Sequence, residues 1–206
     1  MIGRTTRVTP LELRGARVRL RTLGDVDYDA WFGVRSRCRG WLVPWEPRPA
    51  GAPPTPEDRA SFAARCAARE RERQLGSGYG FGIFLGERLV GEITLSSIQR
   101  GPFQNAFVGY WVDEAMAGRG FAPEATVIVL RFAFEELGLH RVEIAIVPRN
   151  RPSRRVVEKL RLREEGVAVR YLEIDGRWED HVRYAVTSEE WGQRRQEMTR
   201  DWLTPP

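Results

Sequence analysis

Lysine is almost missing from this chain of 206 residues: of its 33 basic residues only Lys159 is not an arginine. No Gly-Lys-Ser/Thr run occurs, which excludes a Walker-type phosphate loop. Two histidines, His140 and His181, and two cysteines, Cys38 and Cys66, stand at no metal-ligand spacing, so a zinc centre and a disulfide framework are both unexpected. No apolar run approaches the roughly 20 residues of a membrane span. The opening "MIGRTTRVTPLELRG" has no hydrophobic signal core. These absences point to a metal-free cytoplasmic protein that does not enter a membrane. Repeats and composition breaks are also lacking, so one domain is expected over 1–206, with a core at about 12–191, an N-terminal arm at 1–11 and a C-terminal helix and tail at 192–206.

What is present is charge, at a net +5 from 33 basic and 28 acidic residues. The excess suits acidic ligands such as nucleotides or ribosomal RNA, and codon bias towards arginine accounts for it equally well. "ARVRLRTL" (16–23) alternates as a strand, and "GDVDYDAWFGVRSR" follows as a helix capped by Asp25 or Asp27. Thr55-Pro56-Glu57-Asp58 reads as a cap, a first-turn proline and acids, predicting a helix to about Gln74. Strands are predicted over 79–85, 88–98, 105–112 and 141–147, with Gly86-Glu87 as a glycine-first turn. A buried helix lies before the last of these, and a short helix runs from about Arg151 to Leu160. A hairpin with arms near 167–174 and 177–186 turns on Asp175-Gly176, and a helix capped by Ser188 closes the chain. The pairing is mostly antiparallel, with one βαβ crossover over 105–147 that must pair in parallel.

Within that crossover, "DEAMAGRGFAPEA" sets Gly118-Arg119-Gly120 between a strand and the buried helix. A helix N-terminus has free N–H groups and partial positive charge, and glycines allow close approach by an anion. A plain strand-to-helix turn is the alternative reading. The third glycine of a dinucleotide fingerprint is absent. The run Ala115-Met116-Ala117-Gly118-Arg119-Gly120 resembles the Q/R-x-x-G-x-G/A signature of the GNAT superfamily of acyl-CoA-dependent N-acetyltransferases, with Ala115 where Gln or Arg is usual. "LVPWEP", "PRNRPSRRVVEKLRLREEG" and "YLEIDGRWEDHVRYAVTSEEW" extend the resemblance, to the RimJ/RimL branch and to RimJ more closely, over about residues 12–191. The resemblance implies an α+β fold of three α/β/α layers, whose mixed, mostly antiparallel central sheet is splayed. It implies acetyl-CoA with no metal. Ala117, Gly118, Arg119, Gly120, Phe121 and Ala122 would hold its pyrophosphate. Trp111 and Val112 would pair with its pantetheine, Asn150 would hydrogen-bond that arm, and Arg155 would meet the adenosine end, with a solvated arginine as its alternative.

The implied chemistry is attack of a neutral amine on a thioester. A peptide α-amine, with a pKa of about 7.7–8.0, needs only mild base help at pH 7, whereas lysine at about 10.4 needs more. The tyrosine that many relatives place on the helix after the fifth strand is replaced by Val157. The RimJ/RimL resemblance implies Ser153 as the substitute that donates to the leaving thiolate, and a helix-capping serine is the alternative. Glu92 is the expected base, with Glu173 a second candidate; a solvent-facing strand carboxylate is the alternative for either. Trp45 and Glu46 are expected to shape the acceptor entrance and draw in a cationic amine, against a purely packing role for the tryptophan. Asp180 is expected near the acceptor or in a structural hydrogen bond.

The expected partner is the N-terminal amine of a protein, ribosomal proteins included. A small amine (aminoglycoside, amino acid or polyamine) and a ribosome- or RNA-associated binding protein stay open beside it. Monomer and homodimer also stay open, as does a lid role for residues 47–56.

Overall fold

The computed structural model describes residues 11–53 and 55–205, so the expected N-terminal arm, Leu11 apart, lies outside the described residues. Eight strands form one sheet: β1 (Glu12–Arg14), β2 (Arg19–Arg21), β3 (Tyr79–Leu85), β4 (Arg88–Gln99), β5 (Asn105–Val112), β6 (Arg141–Ile146), β7 (Arg163–Ile174) and β8 (Arg177–Thr187). Their order is β1-β2-β3-β4-β5-β6-β8-β7, and every neighbouring pair is antiparallel except β5–β6. The helices are α1 (Tyr28–Arg37), α2 (Arg39–Leu42), α3 (Arg59–Gln74), α4 (Phe121–Arg131), α5 (Arg151–Lys159) and α6 (Ser188–Leu203).

The turns follow from backbone chemistry. Asp175 and Gly176 both take positive φ, 46° and 78°, as a two-residue hairpin loop that follows the strand twist requires. Helices cover both faces. On one, Trp31 of α1 and Phe62 of α3 pack against Phe84 and Leu89 of the β3–β4 hairpin. On the other, α4, α5 and α6 close the main core, with Ala125 to Leu130 of α4 buried all round. Trp191 and Met198 of α6 belong to that core, which therefore runs past the expected boundary at 191.

Three local readings need correction. Of the strand expected over 16–23 only Arg19–Arg21 forms, as β2, and it pairs with an unexpected strand β1 before it, because the backbone N–H groups of Arg17 and Val18 donate to Glu124 of α4 instead of joining a ladder. Asp58, not Thr55, caps α3, accepting from the Ser61 N–H at 2.7 Å, while Glu57 is drawn to Arg35. Thr187, not Ser188, caps α6, exchanging hydrogen bonds with Glu190 in a capping box.

Candidate active site

The parallel pair β5–β6 holds only over Asn105–Phe107 against Arg141–Glu143. Above it β5 stays with β4 and β6 with β8, so the two strands part like a V. The Gln104 carbonyl accepts from His140 and Arg141 on the β6 side, whereas the Asp113 N–H donates to Val90 on the β4 side. Alternation between these points turns the backbone groups of Tyr110 and Val112 into the gap, where the indole N–H of Trp41 takes the Val112 carbonyl at 3.2 Å. Trp111 is opposite Glu92 and its own backbone groups face β4, so the free edge expected at Trp111 and Val112 belongs to Tyr110 and Val112.

Beside the mouth of the V, Gly118 and Gly120 take φ of 77° and 86°, a left-handed geometry that glycine adopts at little cost. Gly120 is the N-cap of α4. Among the described residues, no acceptor meets the N–H groups of residues 118–122, and Arg119 is exposed. Behind this cradle lies a buried clamp. Glu124 has no exposed surface and accepts from Arg17 N–H at 2.6 Å, Val18 N–H at 3.0 Å and Arg17 Nε at 2.8 Å. The same guanidinium donates to the carbonyls of Arg119 (3.1 Å) and Gly120 (3.3 Å). With those carbonyls turned inward, the free N–H groups point outward. Gly15 is needed in the hairpin turn because a Cβ there would stand 2.7 Å from the Glu124 carboxylate.

On the α5 face of the V, Ser153 Oγ lies 3.2 Å from the Tyr110 hydroxyl, which donates to the Ser153 carbonyl at 3.0 Å. Burial pushes the Tyr110 phenol above its ordinary value, and the hydrogen bond from Ser153 offsets this only in part, so the ring stays neutral. Asn150 is the N-cap of α5 and accepts from the Ser153 N–H at 3.2 Å, which overturns the reading of Ser153 as the cap. Val157 is fully buried and Arg155 is exposed.

On the opposite face, the acceptor-side calls fare unevenly. Glu92 is buried rather than solvent-facing, and both its oxygens are held, by Trp31 Nε1 and by Arg65, each at 2.7 Å. With both oxygens already engaged, Glu92 has no carboxylate oxygen left to meet an amine, which counts against it as a base. Glu46 is ion-paired with Arg35, which also holds Glu57 at 2.7 Å, and so is no free attractor of cations. Glu173 accepts from the Ala50 N–H at 2.6 Å. Asp180 accepts from the Arg170 N–H at 2.8 Å, the structural alternative named for it. Trp45 lies under Arg149, 5.2 Å from guanidinium to ring centroid. Residues 46–48 pair with the tip of the β7–β8 hairpin through Asp175 N–H to Glu46, Arg48 N–H to Glu173 and Gly176 N–H to Arg48, forming a roof from α2 to that hairpin.

Sequence reading missed Tyr110, Arg17, Glu124 and Trp41. Strand alternation alone would have put Tyr110 on the face away from Trp111. No local signal joins Arg17 to Glu124 across 107 positions.

A family model described as an acetyltransferase (GNAT) domain matches residues 17–163. The probable N-acetyltransferase YjcK of Bacillus subtilis is 36% identical over 177 residues, covering 84% of this chain and 96% of its own. The ribosomal protein uS5-alanine N-acetyltransferase of Escherichia coli is 28% identical over 193 residues, 93% of this chain and 98% of its own. Among solved structures, Mycobacterium smegmatis RimJ in complex with CoA-disulfide superposes with a TM-score of 0.85 at 32% identity, covering 96% of each chain. With the splayed sheet and the glycine cradle, these matches show that the chain belongs to the GNAT family of N-acetyltransferases.

Proposed function

We propose that this enzyme transfers the acetyl group of acetyl-CoA to the N-terminal α-amine of a protein, by direct transfer within a ternary complex. The observation that carries the cofactor half is the β5 edge that β6 leaves unpaired at Tyr110 and the Val112 N–H, beside the unpartnered N–H groups of 118–122. A helix N-terminus with converging N–H groups favours a diphosphate, and an open strand edge pairs with an amide-bearing arm. The residues therefore fit the cofactor, which supplies an activated acyl carbon.

Within that reading, residues 118–122 grip the pyrophosphate and Arg119 adds a charged donor from the surface. Asn150 spends its side-chain oxygen on the α5 cap, leaving its amide group for the pantetheine arm. Arg155 is free to meet the adenosine end. Ser153, supported by Tyr110, stands where a hydroxyl can donate to the departing sulfur. Trp45 and the roof of residues 46–48 border the acceptor's path.

The acceptor half is supported by similarity along nearly the whole chain to an enzyme named for ribosomal-protein alanine and to RimJ. It is also supported by charge. A polycationic small substrate calls for free carboxylates at the entrance, yet Glu46, Glu57, Asp175 and Glu179 are each paired with Arg35, Arg48 or Arg149. An acetyl-CoA turnover screen over peptides with Ala, Ser or Met at the N-terminus, beside polyamines and aminoglycosides, is expected to show turnover on a peptide. Activity confined to the small amines would overturn the acceptor assignment.

A further inference from the structure

We propose that His181 is the base of this reaction, its Nε2 receiving the proton of the acceptor amine directly or through one water. The proposal rests on the acetyltransferase reading above and supplies the base that reading lacks. It starts from register. In the parallel β5–β6 pair Asn105 faces Arg141 and Phe107 faces Glu143, so Val147, just beyond β6, is level with Trp111. Antiparallel pairing of Ile146 with Val182 then sets His181 beside Val147. One row thus crosses the sheet: Glu92, Trp111, the gap, Val147, His181.

Alternation fixes the face. His181 shares its side of β8 with Arg183, which is ion-paired with Glu143. Glu143 is in register with Phe107, and Phe107 shares a side of β5 with Trp111. His181 therefore looks onto the α1–α3 face, while Tyr110 and Ser153 occupy the α5 face. The incoming amine and the departing thiolate occupy different corners of the tetrahedral carbon, so a base on one face and a donor on the other can serve both.

The carboxylates around this cleft are engaged: Glu92 by Trp31 and Arg65, Glu143 by Arg141 and Arg183, Asp113 by Arg37 and Arg88, Glu46 by Arg35, and Glu173 by the Ala50 N–H. His181 is only 2% exposed, and its Nδ1 lies 2.9 Å from the Glu179 carbonyl. That contact makes Nδ1 the protonated nitrogen and leaves the lone pair on Nε2, for which no partner stands among the described residues. Tyr171 of β7 meets the ring edge-on at 5.6 Å. Burial lowers the imidazole pKa below its ordinary value, against the opposing pull of the Glu179 carbonyl and the charges of Glu179 and Asp180. The charged groups around it are Glu179, Asp180 and Arg183 on β8 and Arg149, which pairs with Glu179 at 2.9 Å. The ring is neutral at pH 7 and ready to accept a proton.

In the step, the amine nitrogen forms a bond to the acyl carbon and its surplus proton passes to Nε2. The C–S bond breaks, the thiolate leaves with the electron pair beside Ser153, and the imidazolium returns its proton to solvent or to the thiolate.

The test is kcat against pH at saturating peptide and acetyl-CoA for the wild type and His181→Gln. The wild type should lose kcat as pH falls through the lowered His181 value. The variant should lose about 100-fold in kcat at pH 7, within the usual range for a general base, along with that acid limb. Its calorimetric affinity for acetyl-CoA should stay unchanged. Variant kcat within about threefold of wild type, with the limb retained, overturns the base and leaves the acetyltransferase reading standing. A wild type that acetylates no amine overturns both. Should the variant not fold, magnetic resonance of the imidazole carbons in the wild type decides, with His140 told apart by its exposure: a His181 midpoint more than about one pH unit from the kinetic limb overturns the assignment.

Discussion

At the scale of single residues, the site is a set of hydrogen-bond donors whose neighbours decide which are free. The Ser153 hydroxyl rests on Tyr110, not on the helix terminus, because Asn150 already caps α5. A serine freed from capping can turn its proton towards a developing thiolate. One hydrogen bond to a charged group is worth about 1.5–3 kcal/mol, which is roughly 10–100-fold in rate. Ser153→Ala should therefore lower kcat by about that factor while moving the KM for acetyl-CoA less than about threefold. Steady-state kinetics check this, and a thermal melt separates it from unfolding. Position 157 offers no hydroxyl, since Val157 is fully buried in the core. Tyr110 instead brings a phenol from the strand side.

At the scale of elements, the cradle depends on a hairpin distant in sequence. The β1–β2 turn inserts Arg17 behind the first turn of α4, where it satisfies a buried carboxylate and orients two peptide groups. The Arg17 side chain is 43% exposed, so solvent screens part of the ion pair and about 1–2 kcal/mol is a suitable scale for its loss. Arg17→Ala is expected to lower the melting temperature by a few degrees. It should also weaken acetyl-CoA binding about tenfold by calorimetry, because the Arg119 and Gly120 carbonyls lose the donor that turns them inward. Unchanged affinity would separate the hairpin from the cradle.

At the scale of the whole molecule, the two halves of the sheet are held apart at the top of the V and joined at its base. Asp113 stands where β5 ends: buried, it is paired with Arg37 next to α2 and with Arg88 of β4, and accepts from Cys38 Sγ and the Ala115 N–H. Burial alone would raise its pKa, but the Arg37, Cys38 and Ala115 hydrogen bonds together hold it below the ordinary carboxylate range. A depressed folded value means that the unfolded chain binds more protons on acidification. The stabilisation is thus complete above the unfolded value of about 3.9 and drains away as pH falls through the folded one. Asp113→Asn should cost roughly 1–2 kcal/mol at pH 7, the exposed guanidinium heads moderating the loss. Urea melts at pH 7, 5 and 3 should show wild type and variant converging only at the acid end.

The periodicities, the turn residues and the glycine run before α4 were enough to predict most elements, the single parallel crossover and the glycine turn that opens α4. These are local properties: alternation, positive φ and a helix start are written into consecutive residues. The place of β2 behind α4 and the state of Glu92, Glu46 and Glu124 were not legible, because each is decided by a partner far away in the chain. Glu92 and Glu46 look like free acids in sequence and are bound ones in the fold. Whether a carboxylate stands free in the fold depends on which arginine reaches it. His181, by contrast, is one residue in a strand until pairing sets it level with Trp111, across a gap that opens only where β5 and β6 stop sharing hydrogen bonds.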